Sequence, residues 1–260
     1  MAGIGFFKGN VYDKVRSEYA QEVVEYIGQN FSQNNQPLLI VEVGAGTGKF
    51  TEAILNANLS VKEFYVVEPD NEGLKKHKEK YAGKTKFPIL YKNAPSDKTE
   101  LNDDCADIIF CGHCFHWFDF NNTRKEFLRI AKNTGQVFIL GRFLAEDDVV
   151  SLRYIKMTRF GKRKENFTNN IEAYDAERMN AFYGHTVERK IVCEKSIPYT
   201  FLQMYGKLRV RINSSGYCWM RKKVLFVSKF FELLALFLHH RINGKLVLKY
   251  TTFAYCSNMI

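Results

Sequence analysis

Two parts of the chain gather the side chains that chemistry uses. The first is Cys111-Gly112-His113-Cys114-Phe115-His116-Trp117, where two imidazoles and two thiols fall within six residues. An imidazole titrates near neutrality and suits general acid–base work. The second is a glycine cluster bracketed by acids, with Glu42 two residues before Gly44-Ala45-Gly46-Thr47-Gly48 and Glu68 twenty residues beyond it. Glycines between a strand and a helix let the backbone turn sharply and let a ligand approach closely, and the helix N-terminus that follows offers unpaired N–H groups. The spacing G-x-G-x-G differs from the dinucleotide G-x-G-x-x-G, because Lys49 stands where further glycine would be needed, and no G-K-[ST] follows a four-residue gap as a phosphate loop requires. A carboxylate at Glu68, ending the next strand, is placed to accept both hydroxyls of a ribose.

These residues need a rigid frame. The near-continuous apolar run 38–43 reads as a strand buried on both faces, as parallel strands are. Further strands are read at 63–68, 87–91, 106–111 and 135–141, with helices at 50–57, 71–81 and 121–132 between them. Alternating strands and helices predict a doubly wound, mostly parallel α/β sheet. Ligands of such sheets bind beyond the carboxyl ends of the strands, where strand order reverses. Upstream, Val11, Val15, Tyr19, Val23 and Ile27 mark one face of a helix over 11–31. Downstream, 143–183 reads as mostly helical, 186–193 as a strand and 245–255 as a closing strand. Val224–Leu238 reads as a helix apolar nearly all round, which predicts burial in protein. Its flanking Lys222, Lys223 and Arg241 leave a membrane surface as the alternative.

The string Val41-Glu42-Val43-Gly44-Ala45-Gly46-Thr47-Gly48-Lys49-Phe50-Thr51 resembles the first motif of the class I methyltransferases that use S-adenosylmethionine. Val66-Val67-Glu68-Pro69-Asp70 resembles their second, Asn93-Ala94-Pro95 lies where that family lines the adenine, and Ala106–Phe110 resembles their fourth strand. The resemblance implies a Rossmann-like seven-stranded fold with helical cap elements. It implies that Glu42 and the backbone of Gly44, Ala45, Gly46 and Gly48 hold the methionine end, that Glu68 holds the ribose, and that Pro69, Asn93 and Ala94 line the adenine, with Asp97 as a candidate polar contact there. Phe115-His116-Trp117-Phe118-Asp119 and Tyr12–Tyr19 are similar to type 11 small-molecule methyltransferases, including trans-aconitate-methyltransferase-like proteins. In that branch an N-terminal helix closes over the cofactor, and Tyr12, Arg16 and Tyr19, at spacings of four and three, would share its inner face. His116, then His113, is the candidate base; Asp119 could orient a histidine, and Trp117 would wall the pocket. Each of these has a plainer structural reading, as a packed or capping residue.

These readings give one domain over 1–260, with a lid at 1–32, a cofactor-binding core at 38–141, and a cap and substrate region at 142–240 followed by late strands to 260. The expected reaction is methylation of a small-molecule carboxylate or hydroxyl. The alternatives are a catalytically inactive regulatory module that binds S-adenosylmethionine, and methylation of RNA or protein. Cys111-Gly112-His113-Cys114 stands where the amino-methylating N/D-P-P-Y motif would sit, which disfavours amino groups of DNA or RNA.

Composition bounds the rest. Apolar residues make up 46% and charged residues 25% of the 260, ordinary for a globular chain. The net charge of +10 keeps nucleic acid open as a partner, although the lysines read as scattered and Arg221-Lys222-Lys223 is the tightest cluster. Six cysteines in a chain of this length do not make a disulfide framework. The first residues lack the apolar stretch of a signal peptide, so a cytoplasmic monomer or dimer is expected. No second ligand pair accompanies Cys111 and Cys114, so no metal site is expected.

Overall fold

The computed structural model describes residues 18–32, 36–158, 171–213 and 219–260. Seven strands form one sheet: β1 (Leu38–Val43), β2 (Val61–Val67), β3 (Ile89–Lys92), β4 (Ala106–Gly112), β5 (Ala131–Leu144), β6 (Lys190–Tyr199) and β7 (Leu246–Ser257). Their order is β3-β2-β1-β4-β5-β7-β6. The first five pair in parallel, and β7 runs antiparallel between β5 and β6. Strand order therefore reverses between β1 and β4, which puts the glycine cluster after β1 beside the His/Cys segment after β4.

Side-chain parity shows how the sheet is covered. Ile40, Ile108, Phe110 and Phe138 point to one face, where they pack with α1 (Gln21–Phe31), α2 (Lys49–Asn56) and α3 (Asn71–Tyr81). Val41, Ile109, Cys111 and Val137 point to the other, packing with α4 (Phe120–Ile130) and α6 (Ala176–Tyr183). Burial on both faces explains why the strands are apolar runs rather than alternating ones. A third apolar cluster joins α5 (Val149–Thr158), α7 (Phe201–Asn213) and α8 (Trp219–His240) to the start of β7.

Several boundaries move from those read in the sequence. α1 begins at Gln21 because Ala20 is extended (φ −71°, ψ 155°), so Tyr19 precedes the helix; Tyr12 and Arg16 lie outside the described residues. α4 stops at Ile130, where Ala131 turns extended and opens the long β5. β6 covers 190–199, later than 186–193, and tolerates Pro198 because it is an edge strand. The expected burial of Val224–Leu238 is corrected: Val224, Val227, Phe231 and Leu238 are exposed, since among the described residues α8 packs along one side, chiefly on α5 and α7. Among the described residues, no helix is long and apolar enough to cross a membrane.

Candidate active site

The glycine turn is built by backbone geometry that only glycine adopts without strain. Gly44, Gly46 and Gly48 all have positive φ. A Cβ on Gly48 would stand 2.4 Å from the Tyr81 ring, and one on Gly44 would stand 2.7 Å from Cys114 Cβ. The turn is thus pressed against α3 on one side and the segment after β4 on the other. Tyr81 clamps it by donating its hydroxyl to the Gly48 carbonyl (2.7 Å), and Cys114 Sγ donates to the Val43 carbonyl (3.1 Å).

Glu68, at the end of β2, ties the turn to the next strand. Its Oε2 accepts the Gly46 N–H (2.8 Å) and its Oε1 the Asp70 N–H (2.9 Å). Glu68 is 5% exposed, and burial raises its pKa against those two hydrogen bonds, which lower it. Each oxygen retains a lone pair for a further donor. Asn93 donates to the Glu68 carbonyl (2.9 Å) and the Pro69 carbonyl (3.2 Å), binding the loop after β3 to the same corner. Ala94 is buried while Asn93, Pro69 and Asp97 are exposed. Ser96 meets Thr123 (2.8 Å), and Glu126 accepts from Thr99 and Arg129, which fastens this loop to α4.

Glu42 shares its parity with Ile40, so its carboxyl points under α2 and α3. Oε2 accepts from the Thr51 hydroxyl (2.6 Å), whose oxygen also lies 2.8 Å from His77 Nε2. Thr51 has one proton to donate, so with Glu42 as its acceptor it must accept from His77 Nε2–H. Burial pushes the Glu42 pKa up to about 8 and the His77 pKa down to about 4. Glu42 Oε1 and His77 Nδ1 are buried and have no partner among the described residues. Sequence reasoning missed Thr51, His77 and Tyr81.

On the other side of the reversal point stand the histidines. His113 has a positive φ of 57°, and its Nδ1 accepts the Arg142 N–H (3.2 Å), which leaves the neutral ring protonated at Nε2. His116, half-buried in a 3-10 turn (Phe115–Trp117), has its Nδ1 3.3 Å from the Tyr174 hydroxyl, which also accepts the Phe115 N–H (3.1 Å). With Nδ1 protonated, the Tyr174 oxygen accepts both bonds and the lone pair of the ring lies on Nε2; with Nε2 protonated, the Tyr174 hydroxyl donates to Nδ1 instead. The expectation for Asp119 is corrected: it caps α4 by accepting the Asn122 N–H (3.1 Å), and Tyr174 holds the histidine instead. An Asp immediately before a helix and three residues from its bonded N–H is an N-cap signal that the sequence carries. The two imidazoles are 5.2 Å apart, and Trp117, 40% exposed, lies beside His116 with its ring tilted by 45°. Tyr19 covers this end of the sheet, with its ring 5.1 Å from Phe50 and 4.7 Å from the Arg142 guanidinium. Among the described residues, no group of three or more His, Cys, Asp or Glu side chains could hold a metal.

The arrangement is a backbone cradle tied to a buried carboxyl on one side and a pair of imidazoles among aromatic rings on the other. Residues 41–139 match the family described as "Methyltransferase domain". An uncharacterized methyltransferase of Schizosaccharomyces pombe is 32% identical over 130 residues, 50% of this chain and 48% of that protein. The chain spans about half the length of the curated relatives it matches. A solved structure from Anaeromyxobacter dehalogenans, provisionally described as a type II methyltransferase, superposes with a TM-score of 0.62 at 12% identity, covering 94% of this chain and 97% of that one. Phosphoethanolamine N-methyltransferase 2 of Haemonchus contortus, solved with phosphomonomethylethanolamine and S-adenosylhomocysteine, gives 0.50 at 13% identity over 98% of this chain and 57% of its own.

Proposed function

We propose that this chain, whose residues 41–139 match a methyltransferase domain, transfers the methyl group of S-adenosylmethionine to a carboxylate or hydroxyl of a small metabolite. The observation that carries the reading is the Glu68 carboxylate, buried at the reversal point and already bonded to the Gly46 N–H of the glycine turn. The residues fit the cofactor. Glu68 has lone pairs left for ribose hydroxyls, and Glu42 Oε1, without a partner among the described residues, would accept from a ligand ammonium with the carboxyl ionised. Ala45 and the three glycines would meet the methionine end, and Pro69, Asn93 and Ala94 the adenine side.

When bound, the cofactor supplies a sulfonium methyl that is already activated, so the protein has to position the acceptor and exclude water. Tyr19 and Trp117 would shield the reaction, with Tyr12 and Arg16 as further lid residues. His116 would remove the proton of a hydroxyl acceptor through Nε2, with His113 as the second candidate and Tyr174 holding His116 in place. A carboxylate acceptor needs no base. The resemblance of the segment around His116 and Trp117 supports assigning the chain to the trans-aconitate-methyltransferase-like branch. We assign it to the cytoplasm, where the free thiols Cys105, Cys111, Cys114, Cys193 and Cys256 would persist.

The test is incubation of the full chain with methyl-labelled S-adenosylmethionine and panels of small carboxylic acids and alcohols. Label recovered in a small acceptor supports the proposal. Label recovered only in RNA or protein, or cofactor binding with no transfer to any acceptor, would replace it with one of those other readings.

A further inference from the structure

The positive charge of this chain is concentrated. Residues 201–250 contain ten lysines and arginines and one acid, Glu232, and so carry +9 of the net +10. That stretch is α7, α8 and the start of β7. On α8, Met220, Val224, Val227, Phe231, Leu234 and Leu238 recur at spacings of 4, 3, 4, 3 and 4. At 3.6 residues per turn they form one stripe along the helix. The stripe faces outward: Met220 and Val224 are each 72% exposed, Phe231 63%, Val227 56% and Leu238 54%. The opposite side of α8, with Leu233, Leu236 and Phe237, is buried against α5 and α7.

A stripe of this size on an isolated chain calls for an occupant. Charge selects among the candidates. Arg221 and Lys223 are exposed and stand on either side of the stripe at its start, and Arg241 follows its end. The single acid, Glu232, is already paired with Lys229 (2.7 Å). A second copy of the chain, docked in either direction, would bring basic ends together or lay them side by side. An RNA backbone would meet the charge but not the apolar row. An anionic lipid surface meets both, because apolar side chains enter the acyl boundary while flanking lysines and arginines reach the head groups. No helix among the described residues is long enough and apolar enough to cross a bilayer, so the contact is in the plane of the membrane.

We propose that α8 docks this protein on anionic membrane surfaces, with the stripe Met220–Leu238 buried at the interface and Arg221, Lys223 and Arg241 on the head groups. The inference does not depend on methyl transfer.

The test is flotation of the full chain with vesicles of phosphatidylcholine alone and of phosphatidylcholine with phosphatidylserine. Expected is binding to the second only, weakened by salt. The double variant Val227→Glu/Phe231→Glu should lower the bound fraction at least tenfold, as should Arg221→Glu/Lys223→Glu. Circular-dichroism melts identify any variant that fails to fold, and the charge pair, both residues exposed, then decides. Absence of flotation with either vesicle overturns the proposal, as does flotation indifferent to both variants. So does a concentration-dependent dimer in sedimentation that the stripe variant abolishes, or retention of RNA by the intact chain in place of vesicle binding.

Discussion

Thr51→Val is expected to cost about 2–6 kcal/mol of folding stability, although it hardly changes the size or shape of the side chain. The Thr51 hydroxyl holds both Glu42 Oε2 and His77 Nε2 beneath the glycine turn. The other polar atom of each group, Glu42 Oε1 and His77 Nδ1, is already without a partner among the described residues. Removing the hydroxyl therefore strands two buried side chains, at about 1–3 kcal/mol each. Urea unfolding of the two proteins measures it, and a loss below about 0.5 kcal/mol would mean that the cluster is hydrated or rearranges.

The same cluster sets a pH dependence with a defined sign. Glu42 is raised from 4.5 to about 8, so the folded state holds its proton more tightly than the unfolded chain, and its contribution falls as pH rises through that range. His77 is lowered from 6.5 to about 4, so its contribution falls as pH drops below 6.5. The two oppose each other below 6.5. Between 6.5 and 8 only Glu42 acts, and stability should decline by up to about 1.4 kcal/mol per pH unit. Glu42→Gln should remove that decline, and an unchanged slope in the variant would place its origin elsewhere.

The second large effect is catalytic. His116→Gln should lower turnover of a hydroxyl acceptor about a hundredfold, ~2.7 kcal/mol of barrier, while leaving affinity for S-adenosylhomocysteine within about twofold. The separation follows from geometry: His116 stands after β4, across the reversal point from Glu68 and the glycine turn. Tyr174→Phe should act in the same direction and more weakly, and should also shift the pH profile of turnover, because the hydroxyl positions the imidazole (3.3 Å) without touching the acceptor. Full turnover by His116→Gln would leave the histidine a packing residue of the 3-10 turn.

The parts of this site that could be read in the sequence are those written locally. Glu42 to Gly48 joins a strand apolar on both faces to a helix start, so strand, turn and acid share one short string, and Glu68 ends the next such strand. The residues that escaped are partners brought together by folding. Thr51 reaches Glu42 from α2 and His77 from α3, and Tyr174 reaches His116 from 58 residues away. No spacing rule links such pairs. The place of Glu42 beside the turn was legible, but its direction was not, because only the fold shows that it shares the face of Ile40, which packs under α1 and α2. α8 misled for the opposite reason. An all-round apolar helix predicts burial, yet among the described residues this one packs along one side, chiefly on α5 and α7.

Calorimetric titration of the full chain with S-adenosylhomocysteine, beside Glu68→Ala, tests the central claim most directly. The account predicts micromolar binding by the intact protein and at least tenfold weaker binding by the variant, a loss of about 1.4 kcal/mol, because the variant loses the ribose acceptor and releases the Gly46 and Asp70 N–H groups. No heat of binding from the intact, folded protein would contradict it, and the glycine turn would then serve a different ligand.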